Sequence, residues 1–89
     1  MVGYYYIEFD GKDGKKYYLN EGDGASPWTI TNHENLAKKY NSVKDAEKAA
    51  SQSSKNLVYT PGVDLNSARI VEVVKTKNII KGVKIGVMY

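Results

Sequence analysis

Apolar and polar positions alternate with a period of two at the start of the chain. Tyr5, Ile7 and Phe9 share one face of segment 4–9, and Tyr4, Tyr6 and Glu8 share the other. The aromatic and β-branched content suits a strand, with Tyr5, Ile7 and Phe9 the better core face. Two Asp-Gly pairs, Asp10-Gly11 and Asp13-Gly14, predict a tight turn of type I′, which needs positive φ at both central positions. Lys16-Tyr17-Tyr18-Leu19 then returns as the partner strand. The polar, Gly-rich stretch 20–27 predicts a surface loop. Trp28-Thr29-Ile30 predicts a short extended piece that inserts its two large apolar side chains into the core.

The period then lengthens. Thr31-Asn32-His33-Glu34 matches a capping box and predicts a helix with Leu36, Ala37 and Tyr40 on one face, stopping near Asn41. Ser42 through Asp45 is a second N-cap signal. The helix it opens runs to about Ser53, with Val43, Ala46, Ala49 and Ala50 as a small-residue face and Asp45–Lys48 as a favourable pair. Asn56–Thr60 reads as a third strand, Ala68–Lys75 as a fourth, Thr76-Lys77-Asn78 as a turn, and Ile79–Tyr89 as a fifth. The expected fold is α+β: an antiparallel sheet of about five strands with one or two helices packed on one face, in the order ββααβββ.

Size and composition fit one domain over residues 1–89 of a 9.9 kDa chain, and the initial Met leads us to expect a complete chain. With no Cys and a single His, disulfides, Cys-ligated metal sites and Cys/His nucleophile pairs are excluded. Turn chemistry accounts for the acids at Glu8, Asp10 and Asp13, and no P-loop or calcium loop is present, so neither an enzyme nor a cofactor or metal site is expected. No apolar run approaches a membrane span and no signal peptide is visible, so a cytoplasmic location without membrane contact is expected.

Charge changes the picture more. The chain carries a net +3, but residues 1–65 hold eight Lys against nine acids, and residues 66–89 hold Arg69, Lys75, Lys77, Lys81 and Lys84 against Glu72. A local +4 therefore falls on the last proposed hairpin. Those five cations suit phosphate contacts that position a nucleic acid without reading bases. They equally suit the protection of an edge strand. Five tyrosines, Tyr4, Tyr5, Tyr6, Tyr17 and Tyr18, crowd the first hairpin. A two-sided hairpin leaves some exposed, expected to be Tyr4, Tyr6 and either Tyr17 or Tyr18, as a protein interface or a base-stacking platform. Cross-strand aromatic pairing is the competing reading.

Trp28-Thr29, Ala37-Lys38-Lys39-Tyr40, Ser42 and Ala46-Glu47-Lys48-Ala49, together with Tyr4–Ile7 and Ile70–Val73, form a pattern across the first 75 residues. It resembles small accessory proteins of bacteriophages and mobile elements from Gram-positive bacteria, which set a strand hairpin before a Trp-led helix pair and a closing strand. The basic terminal hairpin is an addition to that pattern. The resemblance implies a stoichiometric inhibitor or modulator of a host protein, such as a CRISPR effector complex (the anti-CRISPR kind), acting in the host cytoplasm. Partner-binding residues would be Arg69, Lys75, Lys77, Lys81, Lys84, Tyr4, Tyr6 and Tyr18. Two other readings stay open: a small nucleic-acid-binding protein using the C-terminal hairpin, and a homodimer or larger homo-oligomer formed through the fifth strand.

Overall fold

The computed structural model describes residues 3–21, 28–53, 62–83 and 85. The fold is α+β. Five strands, β1 (Tyr4–Gly11), β2 (Lys16–Glu21), β3 (Trp28–Thr31), β4 (Val63–Val73) and β5 (Lys77–Gly82), form one antiparallel sheet in the order β3-β2-β1-β4-β5. One α-helix, α1 (Val43–Ser53), and a 3-10 turn at Glu34–Leu36 complete the described elements.

The sheet has a core on each face. On one, Ile7 and Phe9 of β1, Leu19 of β2 and Ile70 of β4 are fully buried beneath Ala46, Ala49 and Ala50 of α1. The small residues fall at i, i+3 and i+4, so one helical stripe approaches the strands closely. On the other face Tyr6, Tyr18, Val71 and Ala37 pack together, with Tyr6 and Tyr18 edge to face at 5.2 Å between ring centroids. The expectation that Tyr6 and Tyr18 stand exposed is therefore corrected. Tyr6 is 1% and Tyr18 7% exposed, because the chain from Glu34 to Ala37 lies over the face that a one-sided α+β sheet would leave open. Tyr4 and Tyr17 are half-buried.

The first expected helix does not form. Thr31 belongs to β3, opposite Tyr18, and its Oγ1 accepts from His33 N at 3.1 Å instead of capping a helix. Glu34 is drawn to Tyr6, whose hydroxyl donates to its carboxylate at 2.7 Å. The backbone of Tyr40 then exchanges both hydrogen bonds with Tyr5, at 2.9 and 2.7 Å, and Lys38 N donates to Leu19 O at 3.0 Å. Residues 38–40 thus fill the fork where β2 diverges from β1. Ala37 lies in one core and Tyr40 in the other, so the chain crosses from face to face at this point. Asn32, His33 and Asn35 are weak helix formers, and tertiary pairing prevails over the cap signal.

The second helix forms as expected. Ser42 Oγ accepts from Asp45 N at 3.1 Å, the N-cap bond. The β1–β2 turn differs in type. Only Gly14 has positive φ (+85°), and its N donates to Gly11 O at 3.1 Å while Gly11 N donates to Lys15 O at 2.8 Å. That is a three-residue loop with a glycine bulge, not the I′ turn. Trp28-Thr29-Ile30 is the edge strand β3, and Ile30 packs partly against the helix-side core. β4 begins at Val63, five residues before the strand expected from Ala68. The third strand expected at 56–60 lies outside the described residues.

Candidate functional site

The C-terminal hairpin is where the expected site and the structure meet. β4 turns at Val74–Thr76 rather than at Thr76–Asn78, so Lys77 and Asn78 are strand residues. β5 pairs only with β4 among the described elements, and all six of its residues are exposed. Opposite pairs Val73↔Lys77 and Val71↔Ile79 lie over the tyrosine face, and Ile70↔Lys81 over the helix face, with Ile80 as the extra residue of a bulge.

That alternation decides where the lysines go. Lys77 reaches across the tyrosine face to the carboxylate of Glu34, and Lys81 across the helix face to Glu47 of α1. The pairing raises the Lys77 ammonium above its ordinary range and, with the Tyr6 hydroxyl, holds the Glu34 carboxyl below its own. Both pairs are solvent-exposed, so each contributes little to stability. Their effect is positional: the two lysines lie over the sheet faces, and the edge between them carries Ile79 at 64% and Ile80 at 42% exposure, with Val74 in the turn at 43%.

Arg69 has a different fate. Its guanidinium is 12% exposed and donates to Glu8 Oε1 at 2.9 and 2.6 Å, to Asp10 Oδ1 at 2.9 Å and to Ser67 O at 3.1 Å. Asp10, bonded by Arg69 and also by Lys16, has its carboxyl lowered to about 2. Arg69 is structural in this setting, a cation enclosed by its own carboxylates. Lys75 is exposed in the β4–β5 turn and makes no ion pair with a described residue. Lys84 lies outside the described residues. Tyr4 is half-buried, with Lys39 Nζ 5.4 Å from its ring centroid.

The structure therefore brings together Lys75, Lys77 and Lys81 on one hairpin, sets Arg69 apart in an ion cluster, and buries Tyr6 and Tyr18. Sequence reasoning passed over the neighbouring pair Ile79-Ile80. In a strand these point to opposite faces, so both are covered only if both layers extend to the edge. Here neither does. A second feature it missed is an open groove between segment 38–41 and the stripe Asp45, Lys48, Ala49 and Gln52 of α1. No protein-family model, curated protein or solved structure matches the chain.

Proposed function

We propose that the protein works by stoichiometric binding of another protein, with β5 adding to an extended segment of that partner. The supporting observation is the edge itself. Its lysines fold back over the two faces onto Glu34 and Glu47, and Ile79 and Ile80 stay exposed beside an edge that no described residue pairs. Strand edges are ordinarily guarded by outward charge. An edge with displaced charge and exposed isoleucines suits β-strand addition, in which main-chain bonds give affinity and side-chain contacts give specificity. The partner segment is apolar opposite Ile79 and acidic toward Lys75. The setting implied by the sequence resemblance is a phage-type modulator of a host defence protein such as a CRISPR effector. Nucleic-acid contact through this hairpin is less favoured, since Lys77, Lys81 and Arg69 each already hold a carboxylate.

The test is a photo-crosslinking residue at position 79, against the same residue at position 13 in the β1–β2 turn, in host cells. One dominant host protein crosslinked from 79 and not from 13, and lost on adding Lys75→Glu, is the expected result. Crosslinks only to a second copy of the chain or to nucleic acid, or equal patterns from both positions, would refute it.

A further inference from the structure

The β5 edge is complementary to itself. The two ladders of β4 place Lys77 level with Tyr4 of β1, Asn78 with Tyr5, Ile79 with Tyr6, Lys81 with Ile7 and Gly82 with Glu8. Ile79 is therefore the middle of the edge, with Lys77 and Gly82 two levels to either side. Past Gly82 the β4–β5 ladder ends and β4 bulges: Glu8 faces Arg69 and Asp10 faces Asp64, so residues 65–68 stand against Phe9 alone. Ser67 Oγ closes the bulge, accepting from Asp10 N at 2.7 Å and donating to Asp64 O at 2.6 Å. Asp64, level with Asp10, lies four levels from Ile79, about 13 Å along the sheet. Lys75, in the β4–β5 turn, lies four residues from Ile79 in the other direction. Both are exposed, and neither makes an ion pair with a described residue.

We propose that two copies of the chain pair β5 to β5, antiparallel, about a two-fold axis at Ile79, and that the docking edge rests in this form until another protein displaces one copy. The inference rests on the reading of β5 as an open docking edge, and not on which host protein uses it. The rotation sets Lys77 against Gly82 of the second copy and Lys81 against its Asn78, so no lysine opposes a lysine. The backbone agrees. Antiparallel ladders turn alternate residues to opposite sides. Val74 N donates to Thr76 O and Val83 N to Ala68 O, which fixes the alternation at both ends of the ladder and turns the groups of Lys77, Ile79 and Gly82 outward. Those are the residues that the rotation pairs. Ile79, 64% exposed, meets its counterpart on the axis. At each end Lys75 of one copy comes level with Asp64 of the other, an opposite-charge contact made twice by symmetry. The contact closes after two copies and covers an unguarded edge in each. An edge of six residues makes a small interface, so the dimer is weak and concentration-dependent.

The experiment is sedimentation equilibrium of the purified intact protein from about 5 µM to about 1 mM. The expected mass rises from 9.9 kDa to twice that value and stops there. Lys75→Glu or Asp64→Lys alone weakens association about tenfold, and the double variant Lys75→Glu/Asp64→Lys restores it. Within one chain these two residues are about eight levels, roughly 26 Å, apart, so restoration reports a contact between copies. The chain has no Cys, so Ile79→Cys gives a unique thiol on the axis. It oxidises rapidly to a disulfide dimer, whereas Lys12→Cys in the β1–β2 turn does not. All are exposed positions, and unchanged circular dichroism verifies folding. A constant monomer mass, growth beyond two copies, a double variant no better than the single ones, or equal oxidation of the two cysteine variants overturns the proposal. A monomer that still crosslinks one host protein from position 79 overturns it and leaves the host-binding reading standing; a dimer that captures no host protein does the reverse.

Discussion

Replacing Arg69 with Met tests the ion cluster that removes this residue from any binding surface. The guanidinium and the Glu8 carboxylate are 12% and 13% exposed, and three of the four Arg69 hydrogen bonds end on carboxylates. Removing one partner from a largely buried pair leaves the other charged and desolvated, at a cost of about 3 kcal/mol. For a chain of 89 residues, total stability is on the order of 4–13 kcal/mol, so the loss is a large fraction of it. Urea unfolding followed by circular dichroism reads the change. The double variant Glu8→Gln/Arg69→Met should recover most of the loss, because neither charge is then stranded. Asp10 adds a pH signature. Its native carboxyl is lowered to about 2 from an ordinary 3.8. Its stabilising contribution is therefore complete above about pH 4 and disappears as pH falls through about 2. For a half-exposed group this is about 1 kcal/mol at most. Arg69→Met should largely flatten that acid limb. A loss below about 1 kcal/mol, with the limb unchanged, would refute the enclosed cluster and return Arg69 to the candidate binding residues.

Three further outcomes follow from the same contacts. Tyr6→Phe removes the bond to Glu34 and should cost about 1–1.5 kcal/mol in urea unfolding; burial first, then that bond, raises the Tyr6 hydroxyl well above its ordinary range, so an ultraviolet alkaline titration of the wild type should show a late-ionising tyrosine absent from the variant. Ser42→Ala removes the N-cap of α1 and should cost about 1 kcal/mol, whereas Thr31→Ala, the cap that does not form, should cost less. Gly14→Ala forces a side chain into φ +85° and should cost about 1 kcal/mol, read as a lower melting temperature.

Legibility followed the range of the interactions. The first hairpin, α1 and the core face Tyr5-Ile7-Phe9 were readable because period and caps are local signals. The helix expected at Thr31 was not, since its failure depends on Tyr40 pairing with Tyr5, 35 positions away, and on Tyr6 claiming Glu34. The burial of Tyr6 and Tyr18 has the same origin: two alternating faces mark one as the better core, but nothing local says that residues 34–37 cover the other. The +4 count on the C-terminal residues was correct as arithmetic. It was misleading as a surface, because the carboxylates that answer Arg69, Lys77 and Lys81 sit 34 to 61 positions away in sequence.

The central position of β1 has a consequence for folding. Of its two neighbours, β2 follows directly, but β4 starts only at Val63, 52 residues after β1 ends. Until then a strand bearing Tyr5, Ile7 and Phe9 holds an open edge on one side, while Tyr40 pairs with Tyr5 on the other. Folding is therefore paced by closing that long loop rather than by forming the hairpin, and the open edge is exposed to aggregation until the loop closes.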